Sequence, residues 1–156
     1  MEMLEKIIRD YLEEAKTLQI ATLRGDQPWC CTVWYAHDEH LNLYWISSKT
    51  RRHSEEIKDH AKVAGTIVLP HTQGSGQKVR GIQFEGTAQE TSGTSQSLAR
   101  DLYIKKYARP QDYHEEVLVD PNAEANWYMI TPTKIVLFDQ IHYPDSPRQE
   151  FIPRGR

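Results

Sequence analysis

Apolar residues return every three or four positions near the start of the chain. Met3, Leu4, Ile7, Ile8, Tyr11, Leu12 and Ala15 form one stripe, and Glu5, Lys6, Arg9, Asp10, Glu13 and Glu14 form the other. That spacing is the helical period, so it predicts an amphipathic helix lying on a core. After Lys16 the period drops to two. Thr17 to Leu23 alternates as a strand and stops at the turn-forming cluster Arg24-Gly25-Asp26-Gln27-Pro28. Trp29 to Tyr35 is almost continuously apolar or β-branched, which predicts a strand covered on both faces. His37-Asp38-Glu39-His40 interrupts it, and Leu41 to Ser47 is expected to return as its hairpin partner.

Ser48 to His60 reads as a polar turn feeding a short helix, with Ile57 its only large apolar residue. Lys62 to Leu69 is strand-like, His71 to Gln77 is a flexible loop around Gly74-Ser75-Gly76, and Lys78 to Glu90 is a long strand. Gly81 and Gly86 inside that strand predict a bulge or a close approach by another backbone or a ligand. Ser97 to Tyr107 is helical, with Leu98, Leu102, Tyr103 and Tyr107 inward. Residues 108 to 123 are loop-rich around Pro110 and Pro121, and strands Trp127 to Thr131 and Lys134 to Phe138 flank Pro132. The tail from His142, with Pro144, Pro147 and Pro153, is expected to lie loosely on a neighbour or in water. Short strands joined by turns, with few helices set apart from them, indicate an α+β antiparallel barrel. The division expected is one domain over 1–140 and a C-terminal tail over 141–156.

Composition narrows the function. At 156 residues the chain can bury roughly two-thirds of its unfolded surface. Four Trp, eight Tyr and three Phe are too many aromatics for a disordered chain. A net charge of −3 gives no overall pull toward nucleic acid. No apolar run is long enough for a membrane span, and no cleavable leader is legible. The only cysteines, Cys30 and Cys31, are adjacent, which excludes a loop-closing disulfide framework and a four-cysteine zinc site. A reducing, cytoplasmic setting is expected.

The densest cationic patch is Lys49-Thr50-Arg51-Arg52-His53, preceded by Ser47-Ser48. Hydroxyls and guanidiniums between a strand end and a helix start are the combination that holds a phosphate. The alternative is a solvated basic turn in which Arg51 or Arg52 pairs with Glu55 or Glu56 at helical spacing. His37-x-x-His40 sits in a turn with no third ligand spaced to it, so metal is not expected. Cys30-Cys31 reads as packed thiol. Trp29, Trp34, Trp45, Tyr35 and Tyr44 are either aromatic core or a wall for a flat ring.

Taken in order, Leu18-Gln19-Ile20-Ala21-Thr22, Pro28 to Tyr35, Leu43 to Ser48, Thr50-Arg51-Arg52-His53, Val63-Ala64-Gly65-Thr66-Ile67 and Val79 to Ala88 resemble the pyridoxamine 5'-phosphate oxidase-related FMN-binding split-barrel family, in particular a small bacterial branch of it. The resemblance covers about residues 4 to 138. It implies a six-stranded antiparallel split barrel that forms a homodimer, with FMN in clefts between the two copies. Cys31, Thr32 and Val33 would line the isoalloxazine, Gln83 would hydrogen-bond it, and the turn holding Ser47, Ser48, Arg51, Arg52 and His53 would hold the phosphate. The oxidase's Arg and Lys on the strand matching Cys31 to Ala36 are missing here, as are its substrate-clamping Arg and His near the C-terminus. An FMN-dependent oxidoreductase acting on a small molecule is therefore expected, other than on pyridoxamine phosphate. The alternative is a non-catalytic module of the same fold that holds flavin, another phosphorylated ligand or haem.

Overall fold

In the computed structural model, which describes residues 1–107, 125–153 and 155, the helix α1 covers Glu2–Glu14 and buries Ile7, Ile8, Tyr11 and Leu12. Pairs Lys6–Asp10 and Arg9–Glu5 at i,i+4 support its outer face. The described residues then give β1 (Thr17–Arg24), β2 (Gln27–Trp34), β3 (Ala36–His37), β4 (Leu43–Ser48), α2 (Arg52–Asp59), β5 (Lys62–Val68), β6 (Arg80–Glu90), α3 (Gly93–Tyr107), β7 (Ala125–Asp139) and β8 (Arg148–Phe151). The loop expected over 108–123 lies outside the described residues.

All pairings are antiparallel, in the order β2-β1-β5-β6-β7-β4-β3, with β8 added to β7. The sheet curls into a half-barrel, and the class is α+β. It has eight strands where the family resemblance implied six, because the two-residue β3 and the four-residue β8 join six longer ones.

The inner face carries Leu18, Ile20, Trp45, Ile67, Ile82, Phe84, Ile130 and Leu137, closed over by α1 and by Ile57 of α2. A second cluster, Tyr44, Ala99 and Trp127, lies under α3 on the outer face of β4 and β7. Among the described residues, no helix lies on the rest of the outer face.

Several expectations need correction. β2 is not covered on both faces: it is a sheet edge, and Trp29 and Trp34 stay 43% and 56% exposed. Nor is β4 its hairpin partner. β4 pairs with β7, and only Ala36 and His37 reach back to it. The two final strands are one. Pro132 sits within the 15-residue β7 opposite a bulge at Glu85/Gly86, where the pairing register shifts. Gly86 is required there, because a side chain would run into the Thr131 carbonyl and Pro132. Leu98 faces solvent, and Ala99 is the α3 residue that buries. The tail is not loose, since β8 pairs with β7 and buries Phe151. Ahead of it, the buried Asp139 accepts from Tyr11 Oη at 2.6 Å and from the amides of Ile141 and His142, tying the turn to α1.

At the end of β2, Tyr107 of α3 closes the strand. Its hydroxyl lies 2.5 Å from the Tyr35 carbonyl and 2.7 Å from that of Lys16, and it accepts from the Tyr35 amide at 3.1 Å.

Candidate functional site

β4 ends in Ser47 and Ser48, and the chain turns through Lys49, Thr50 and Arg51 into α2. Ser48 organises the turn: its Oγ accepts from the Thr50 amide at 3.3 Å and meets Thr50 Oγ1 at 3.0 Å, while its carbonyl accepts from the Arg51 amide at 3.2 Å. Arg51 is the extended residue before the helix, and its carbonyl accepts from the amides of Ser54 and Glu55. No side chain caps α2, so its first amides and the Ser48 and Thr50 hydroxyls face one exposed turn with Arg51. Lys49 is drawn aside to Glu90 at 3.0 Å.

Arg52 and His53 point back toward β2. Arg52 Nε donates to Glu56 Oε1 at 2.6 Å, and its guanidinium carbon sits 4.3 Å from the centre of the Trp29 ring. Glu56 is buried. It accepts from Thr22 Oγ1 at 2.5 Å, and Arg24 Nε stands 3.6 Å away. Burial pushes its carboxyl up, but the hydrogen bonds from Thr22 and Arg52 and the two arginine charges outweigh this and hold it below the usual range. The helical-spacing alternative for Arg52 is therefore present in the fold.

His53 Nε2 lies 2.7 Å from Ser47 Oγ, and Nδ1 lies 3.4 Å from Cys31 Sγ. Burial, then the charge of Arg51, lowers the imidazole pKa, and burial pushes the Cys31 thiol up to about 11. Both are neutral at pH 7, so the imidazole links Ser47 and Cys31 by two hydrogen bonds whose directions follow its tautomer. Cys31 is an inert link in this chain and not a reactive thiolate.

The register divides the expected site residues between two faces. Cys31 pairs with Ile20 and Val33 with Leu18, so both point into the barrel, as does Trp29 opposite Thr22. Thr32, Gln19, Thr66 and Gln83 are successive cross-strand partners over β2, β1, β5 and β6. They form one polar row on the open outer face. Ser47, Arg52 and His53 thus gather with Cys31 on the inner side, Ser48 and Arg51 stay at the exposed turn, Val33 packs against the core, and Thr32 and Gln83 lie across the sheet from them. The edge of β2 runs between the two groups. The Tyr35 amide also donates to the Lys16 carbonyl at 3.3 Å, which fixes the phase of the ladder. Cys30, Thr32 and Trp34 therefore turn their backbone N–H and C=O groups to the open edge.

Two contributors escaped the sequence reading: Thr22 and Arg24, which join Arg52 on the buried Glu56. The Arg52–Glu56 spacing was the one visible signal, and Thr22 and Arg24 carried none. Among the described residues no cluster of three metal-ligating side chains forms, and His40 Nε2 lies 3.6 Å from Glu39.

Residues 4–135 match the family described as pyridoxamine 5'-phosphate oxidase. The chain belongs to that family. It is also 31% identical over 109 residues to a UPF0306 protein of Klebsiella pneumoniae, covering 69% of this chain and 71% of that one. Among solved structures it is similar to a heme binding protein from Mycobacterium smegmatis, with TM-score 0.76 and 14% identity over 94% of this chain. This chain spans 57% of that protein's length. It is similar too to HutZ, the heme storage protein from Vibrio cholerae, with TM-score 0.65, 16% identity, and 83% and 89% of the two chains covered. These likenesses show the split-barrel fold. No helix among the described residues is long and apolar enough to cross a membrane.

The family implies FMN, and the donors at the turn fit its phosphate: two hydroxyls, unbonded helix-start amides, the exposed Arg51 and the outer nitrogens of Arg52. The open edge of β2, with alternating N–H and C=O groups, fits the hydrogen-bonding rim of a flat heteroaromatic ring.

Proposed function

We propose that this protein binds FMN over the β2 edge and uses it as a cytoplasmic oxidoreductase on a small molecule. Ser48, Thr50, Arg51 and Arg52 hold the phosphate, and the backbone of Cys30 and Thr32, with the Thr32 side chain, meets the ring. Gln83, three strands inward at about 14 Å, lies beyond it. Cys31, Ser47 and His53 brace the inner side of the strand without touching the cofactor. Bound flavin supplies hydride or electron transfer; the protein supplies position and exclusion of water. A second copy of the chain covers the open edge of β2, from which the exposed Trp29 and Trp34 project on opposite faces, and completes the cleft. The observation that carries this reading is the adjacency of an anion-holding turn and an unpaired strand edge.

A second reading is favoured by the likeness to heme-binding structures: the same fold holding haem without turnover. The two are separated by titrating the purified protein with FMN and with haemin, following the visible spectrum and the melting temperature. FMN at a hundredfold excess over its Kd is expected to stabilise the fold by about 2.7 kcal/mol, a shift of several degrees. A shift with haemin and none with FMN would reverse the assignment.

A further inference from the structure

We propose that Glu56 and Trp29 are positioning residues for Arg52, together presenting it edge-on to a terminal phosphoryl group. This deepens the FMN reading and rests on it. A free arginine has four side-chain torsions to fix before it can act as a two-pronged donor, and the structure fixes this one from two directions. Glu56 Oε1 takes Nε at 2.6 Å, which sets the rotation of the guanidinium about its stem. Trp29 lies 4.3 Å from the guanidinium carbon, which sets the plane. Glu56 is itself immobilised by Thr22 Oγ1 at 2.5 Å and by burial, so the anchor is rigid.

With Nε occupied, the edge left over is the pair of terminal nitrogens, the geometry that grips two oxygens of one anion. Charge agrees with this use. Arg24, Arg51 and Arg52 face Glu55 and Glu56 around the turn, and His53 is neutral, so one positive charge remains for a ligand. An arginine serving only to neutralise Glu56 would need neither the indole beneath it nor the uncompensated charge of Arg51 next to it. The arrangement predicts selectivity for a terminal phosphate monoester over the same ring without phosphate.

The test compares FMN with riboflavin, by fluorescence titration, on the wild-type chain, Glu56→Gln and Trp29→Leu. Glu56→Gln is expected to weaken FMN about tenfold and Trp29→Leu about threefold, with riboflavin unchanged for both. In the ligand-free protein, the Arg52 Nε–H resonance is expected to be protected from solvent exchange and to lose that protection in Glu56→Gln. Should Glu56→Gln not fold, Trp29→Leu, at a half-exposed ring, carries the comparison. FMN affinity unchanged in a folded variant overturns the positioning role and leaves the FMN reading standing. Equal losses for FMN and riboflavin also overturn it, since they mean general distortion of the strand. A wild-type chain that binds no FMN removes both.

Discussion

β2 and β7 are both long strands rich in apolar and aromatic residues, yet they meet opposite fates. β7 runs for 15 residues between β6 and β4, with β8 extending the pairing and α3 packed on its outer face. Trp127, Tyr128, Ile130, Ile135 and Leu137 are all buried. Among the described residues β2 has a strand neighbour only on the β1 side, and its two tryptophans stay exposed. Hydrophobic content reports that a strand will be covered; it does not report by what. β7 is covered by its own chain, and β2 keeps an open edge among the described residues.

The comparison can be broken most forcefully at β7. Ile130→Ala, at a fully buried position, is expected to cost about 3 to 4 kcal/mol in urea unfolding. A cost below about 1 kcal/mol would mean that β7 is not the packed centre described.

The next largest effect lies at the far end of the sheet, on β3. Burial, then the charge of Lys106, pushes His37 down to about 4, and its Nδ1 is buried without a partner. The unfolded chain takes up this proton near pH 6.5, while the folded chain refuses it until about 4. Stability is therefore whole above 6.5 and declines as pH falls from 6.5 to 4, by about 2 kcal/mol after allowance for partial solvent screening. His53 acts in the same direction, so the measurement is the difference between wild type and His37→Gln, whose stability curve is expected to be flatter across that window. Superimposable curves would refute the assignment.

The smallest effect on folding is expected at β2. Trp34→Ser should change unfolding free energy by less than about 1 kcal/mol, because the ring is more than half exposed. It should nevertheless shift the sedimentation coefficient toward that of a single chain if a second copy covers the edge. A large folding cost with unchanged sedimentation would mean that the ring is covered from within.

This contrast also accounts for what could be read in advance. α1, β1, β5 and α2 were legible because each has one buried face, so period and burial agree. The run Ser48 to His53 was legible as a cationic, hydroxyl-bearing turn between a strand and a helix because its chemistry is local. β2 was misjudged because an edge awaiting cover and a buried strand share one composition. The division of Cys31 and Val33 from Thr32 and Gln83 follows from strand pleat, but it has meaning only once the β1 and β5 registers are known. The Thr22–Glu56–Arg52 network joins residues 34 and 4 positions apart, and only folding brings the distant pair together.

The Tyr107 hydroxyl has one more effect. Set between the backbone groups of Tyr35 and Lys16, it closes the seam between β1 and β2 at one end, while Pro28, which lacks an amide hydrogen, blunts the far end of the open edge. A foreign strand meets an edge that lacks a donor at its Pro28 end, which weakens open-ended pairing there. The molecule can keep a sticky margin without becoming a polymer.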